Sequence, residues 1–299
     1  MEHGGGATGP ETRGRRLSVI IGYDASPSAM HAIETAARLI PEADATVVHL
    51  WQPPFASAEL RQRLATQARG MDDLIGMIER EGRAEAELLA GHGATLVRAA
   101  GWDAQLLVER CFGGDGYQLA RLAEQHDVDA VVVGSRGLSG IQAALGSTSD
   151  LVVHVSPVPV LVIPFPLTTS ERDAVGSGPV LVAFDGSPGA ERAAATSAAL
   201  FPDRELLRVT VGDPEESRAT RTKALDTHWI PFRRGSGHAR SIADTLNEHA
   251  AECAAAVLVV GSRGQSGGRE LLLGSVAKAV LHHSHRPVLV VPAARDARP

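Results

Sequence analysis

Cysteine is scarce in this chain: of 299 residues only Cys111 and Cys253 carry thiols. There is no CxxC pair and no His/Cys cluster at zinc spacing, so neither a disulfide framework nor a structural metal is expected, and the metal-ligand set is empty. That usage fits a reducing, cytoplasmic compartment. Aromatics are only 4% of residues, too few for a base-stacking platform on single strands. Basic residues are not in excess. A net charge of −6 gives no broad field toward nucleic acid or an anionic membrane. No apolar run approaches the roughly 18 to 20 residues that span a bilayer. Residues 1–15 are Gly-rich and polar with no apolar centre, so they read as a disordered tail rather than a signal peptide. G-x-S-x-G, HExxH and a Walker loop with its lysine are all missing. Gly186-Ser187 lacks the further glycine and acid of a pyrophosphatase loop. No residue is therefore assigned a catalytic role.

What is present is present twice. Val131-Val132-Val133-Gly134-Ser135-Arg136-Gly137 leads through an apolar-rich segment to Gly146-Ser147. Val257-Leu258-Val259-Val260-Gly261-Ser262-Arg263-Gly264 leads likewise to Gly274-Ser275. Each copy is a β-branched run apolar on both faces, the mark of a buried parallel strand. A glycine turn follows, then a helical pattern. Main-chain N–H groups at such a junction can face an anion. Turn glycines alone would be a bland reading, but the duplication favours two phosphate loops. Arg136 and Arg263 sit inside the loops, where they can neutralise phosphate or lie solvated. Ser147 and Ser275 can donate hydroxyls or cap their helices.

Taken in order, the chain alternates strand and helix. Strands are expected at Leu17–Tyr23, Ala45–Trp51, Ala104–Glu109, Ala130–Val133 and Pro159–Pro164, with a long helix from Met71 whose Met71, Leu74, Ile75 and Ile78 share one side. The polar stretch 166–178 reads as a linker. The alternation restarts at Val180–Phe184, Leu206–Val211, His228–Arg233, Val257–Val260 and Val288–Val291. Asp24 and Asp185 lie 161 residues apart, whereas Gly134 and Gly261 lie 127 apart. The second unit has thus lost a segment between its first and fourth strands, and the missing piece is the long helix. The pattern gives an α/β fold: two tandem doubly wound, Rossmann-like parallel sheets, each in order 3-2-1-4-5. The first domain covers 1–165, the linker 166–178 and the shortened second domain 179–299. In this order strands 1 and 4 flank the switch point, so the acid and the glycine loop meet at one crevice. Strand 5 is an edge in each unit, which favours intramolecular pairing of the two.

The strand-terminal Asp followed by Ser-Pro, the G-x2-G-x9-G-[ST] loop and the closing Pro-Val-Leu-Val-[VI] strand together resemble a tandem universal stress protein, over nearly all of both units. The second unit meets the loop pattern with Gly261, Gly264, Gly274 and Ser275. The first is one residue short, with Gly134, Gly137, Gly146 and Ser147. In the ATP-binding branch of that family the loop holds phosphates and ribose. The strand-1 Asp lies by the nucleoside, and the end of strand 2 meets adenine through its backbone. The resemblance implies these contacts for Asp24 with Leu50 and for Asp185 with Val209. Other members lack the loop and do not bind ATP.

The function expected is a nucleotide-sensing stress-response regulator. It binds an adenine nucleotide, ATP with or without Mg2+, and signals by a change of conformation. Hydrolysis is at most slow, since no general base is evident. A homodimer is the further assembly the pattern allows. The alternative is a ligand-free interaction module with vestigial sites.

Overall fold

The computed structural model describes residues 15–52, 58–135, 145–212, 227–231, 238–262 and 273–293. The first half runs β1 (Leu17–Gly22), α1 (Pro27–Leu39), β2 (Ala43–Trp51), α2 (Ala58–Ala65), α3 (Met71–Ala99), β3 (Asp103–Arg110), α4 (Asp115–Gln125), β4 (Ala130–Gly134), α5 (Ser147–Val155) and β5 (Val160–Ile163). The second runs α6 (Thr169–Ser177), β6 (Val180–Ala183), α7 (Pro188–Leu200), β7 (Leu206–Val211), β8 (Thr227–Ile230), α8 (His238–Glu252), β9 (Val257–Gly261), α9 (Ser275–His283) and β10 (Val288–Val291).

The strands form one ten-stranded sheet in the order β3-β2-β1-β4-β5-β10-β9-β6-β7-β8. Each half keeps the order 3-2-1-4-5, and its internal pairings are parallel. β5 and β10 join the halves antiparallel, with Leu161 opposite Leu289. Both are Val/Leu/Ile runs buried along their whole length, so each covers the edge the other would expose. The core lies in two layers. α1, α3, α6 and α7 cover one face of the sheet, and α4, α5, α8 and α9 the other.

Several elements depart from the sequence reading. The stretch 166–178 is no free linker. Thr168 and Glu171 form a reciprocal capping box that starts α6, and Leu167, Ala174 and Val175 are buried as it packs on α1. Arg15, assigned to the tail, pairs with Asp129 at 3.2 Å. On α3, Met71 is 71% exposed and Ile75 40%. The stripe that packs is Ile78, Ala86, Ala90, Ala94 and Val97, mostly small residues that let the helix lie close on the sheet. The fourteen residues 213–226, where the second half differs most, lie outside the described residues, as does the tail 1–14.

Candidate functional site

The site begins where β1 ends. Tyr23 donates its N–H to the Val48 carbonyl at 2.9 Å, the last bond between β1 and β2. The chain then turns through Ala25 at φ 60°. Asp24 Oδ1 accepts the Ser26 N–H at 3.0 Å, and Ser26 Oγ accepts the Ala29 N–H at 3.1 Å. The acid thus shapes the turn, the serine caps α1, and Pro27 takes the first helical position. The second half repeats the device. Asp185 Oδ1 accepts from Ser187 at 3.0 Å, Ser187 Oγ accepts from Ala190 at 3.2 Å, and Gly186 holds φ 75°.

The other wall comes from β4 and α5. Gly146 donates its N–H to the Ser135 carbonyl at 2.6 Å, and Gly274 donates to Ser262 at 2.7 Å. Each bond closes the neck of a glycine loop. Arg136, Gly137, Arg263 and Gly264 lie outside the described residues. Gly146 is the N-cap of α5 and Gly274 that of α9, and no side chain caps either helix. Ser147 and Ser275 are therefore first helical residues rather than caps. The uncapped first-turn N–H groups of α5 carry the positive end of its dipole.

These pieces enclose a cavity of about 560 Å³ lined by five of the anticipated residues, Asp24, Leu50, Gly134, Gly146 and Ser147. Its volume lies within the range of about 300 to 1,000 Å³ usual for small-ligand sites. Leu50 is two residues beyond Val48 on the same strand, so its main-chain N–H and C=O point along the same edge, past the end of β1. Neighbouring His49, also in the lining, bonds the Tyr23 carbonyl through Nδ1 at 2.8 Å. Tyr23 O–H meets Nδ1 of His92 on α3 at 2.8 Å. Burial, with the Asp24 charge next to it, pushes the Tyr23 phenol up from its ordinary pKa, so it stays neutral.

The long helix that the second unit lacks walls the open side of this crevice, as its loss from that unit implied, but its lining residues were not singled out in the sequence. Gly82, Glu85, Ala86 and Leu89 of α3 line the cavity, together with Trp51 and, from α4, Asp115. A 29-residue helix is about 43 Å long, while nine-residue β2 reaches about 30 Å, so the N-terminal part of α3 overhangs the strand ends. The signal available was the length of the helix relative to its strand.

One anticipated residue carries a further constraint and another is misplaced. A side chain on Gly134 would run into Ser28 of α1, so its smallness also serves the contact of β4 with α1. Val209 is a correction. It is 1% exposed, and its carbonyl already accepts the Phe184 N–H at 2.8 Å. Val209 pairs with Ala183 as Val48 pairs with Gly22, so the register partner of Leu50 is Val211. The sequence offset of 161 between the strand-1 acids gives the same answer.

The described lining holds three carboxylates, Asp24, Glu85 and Asp115, and neither lysine nor arginine. No group of three or more metal-ligating side chains occurs among the described residues. His282, His283 and His285 border a second hollow of about 400 Å³ near the β5–β10 seam. Burial lowers the pKa of His282, which disfavours its charged form.

The universal stress protein family model matches residues 17–164 and 215–292, well over half of the sequence. The chain belongs to the universal stress protein family. A universal stress protein of Mycolicibacterium smegmatis is 27% identical over 301 residues, covering 91% of this chain and 96% of that protein. One of Mycobacterium tuberculosis is 29% identical over 189 residues, a stretch spanning 55% of this chain and 62% of the relative's length. The crystal structure of a universal stress protein from Archaeoglobus fulgidus superposes with TM-score 0.63 at 21% identity, over 92% of this chain and 98% of that one. That likeness concerns the fold. No helix among the described residues is long and apolar enough to cross a membrane.

Proposed function

We propose that this universal stress protein binds an adenine nucleotide, ATP, and acts as a stress-response regulator whose conformation follows its ligand. One observation carries the reading: the cavity at the β1/β4 switch point, where Asp24, the Leu50 backbone and the uncapped start of α5 converge. An apolar slot beside a peptide donor–acceptor edge suits a purine. The α5 N-terminus suits phosphate. Mg2+ fits the reading as a companion of the ligand. Asp24 and Asp115 offer oxygens, and a polyphosphate facing three carboxylates needs a cation between. Arg136 of the loop would add a further positive group. A ligand that prefers one state shifts the population toward it, which is the signal the reading requires.

Two tandem domains held together through β5 and β10 complete the proposal, and the antiparallel ladder supports it. That ladder also supports the alternative, a pairing module without ligand. The free thiols Cys111 and Cys253, both raised in pKa by burial, suit a reducing cytoplasm. Further association into a homodimer is part of the same reading.

Titration calorimetry of the purified chain with ATP tests it, with and without Mg2+. Saturable binding that weakens at least tenfold when Mg2+ is chelated is expected. No heat and no thermal shift with any adenine nucleotide would leave the pairing module standing.

A further inference from the structure

We infer that the chain takes one adenine nucleotide, in its first half alone, because α3 builds a roof there that the second half cannot build. The inference rests on the nucleotide reading above and adds to it the stoichiometry and the residues that decide it.

The sheet itself carries the difference. On the face that α3 covers, β2 presents Ala45, Val47 and His49, all buried, at 2%, 0% and 8% exposure. At the matching register β7 presents Leu206, Arg208 and Thr210, all partly exposed. An alanine and a valine pressed beneath a helix have become a leucine and an arginine that stay partly exposed. Burying the Arg208 guanidinium under a helix without an acid would be costly. The change of residue therefore marks a face built to remain open.

The aromatic ring at the end of strand 1 shows the same exchange. Gly93 of α3 lies so close to the Tyr23 ring that a side chain there would come within 2.8 Å of it. In the second half Phe184 stands at the Tyr23 position, and Arg208 lies over its ring with the guanidinium carbon 5.5 Å from the centroid. A cation–π contact fills the place a helix backbone holds in the first half.

The sequence cannot restore the roof. Residues 213–226 replace a connection that holds the whole 29-residue α3, and their sole large aliphatic is Leu225. A covering helix needs an apolar stripe over several turns. The strand-1 acids differ in step. Asp24 is half-buried in the cavity wall, whereas Asp185 is exposed. Specific small-molecule sites enclose roughly 70–90% of the ligand surface, and a base lying on β7 would be covered from one side only.

The test is the stoichiometry of the full-length chain with ATP and Mg2+ by titration calorimetry, read alongside Trp51 fluorescence, since Trp51 lines the first cavity. The expected result is one site per chain and a Trp51 signal that saturates with the heat. Leu89→Trp, which fills the roofed cavity, and Gly146→Val, at the α5 cap, should each weaken binding at least tenfold. Thermal melts verify that both variants fold. Two sites per chain would overturn the inference and leave the nucleotide reading intact. So would a single site that survives both substitutions with unchanged affinity. No binding at all would overturn the nucleotide reading and the inference with it.

Discussion

Gly134 is small because of Ser28. An added methyl would approach the Ser28 carbonyl carbon and oxygen at 2.9 Å, and main chain cannot swing aside as a side-chain tip can. Gly134→Ala should therefore cost about 1–3 kcal/mol, the range for overpacking. Urea denaturation should show a lower midpoint with an unchanged slope, and an unaltered midpoint would contradict the contact. The sequence marked Gly134 as a residue of the glycine loop, and the Ser28 contact is a second demand on its size. A motif shows that a residue must be small without showing which neighbour requires it. Val209 went astray for a related reason. The end of a strand has to be counted from the partner strand, and the β6–β7 register puts Val211 where Leu50 stands.

Among the elements, α6 ties the halves. Arg204, just before β7, donates to the Gly178 carbonyl at 2.9 Å, and to the Val175 and Arg38 carbonyls at 2.8 Å each. One guanidinium thus binds the last turns of α6 and α1, whose final carbonyls lack helical partners and carry negative partial charge. Burial lowers its pKa from the ordinary arginine range. Arg204→Ala should cost about 2 kcal/mol, since it strands carbonyls that are partly withdrawn from water. Thermal unfolding should then lose cooperativity between the halves, and a single unaltered transition would speak against the clamp. The Thr168-x-x-Glu171 signature of α6 was legible in the sequence, yet the polar composition around it suggested a linker. Three apolar residues, Leu167, Ala174 and Val175, outweighed the rest because they meet a ready surface on α1.

For the molecule as a whole, the β5–β10 seam is the decisive contact. Each half ends in a buried strand whose outer edge is paired by the other half. Expressed alone, residues 15–165 should self-associate through β5 or precipitate, as size-exclusion chromatography with light scattering would reveal; a well-behaved monomer would count against the seam as an obligate contact. The alternation of buried strands with amphipathic helices, the strand order of each half, and the paired acids and glycine loops were written in the sequence, because periodicity and turn chemistry are local. The α3 residues that line the cavity, the antiparallel sense of the β5–β10 pairing, and the residue that Gly134 must avoid were settled only in three dimensions. Each depends on the distance between segments far apart along the chain, and no local pattern encodes that distance.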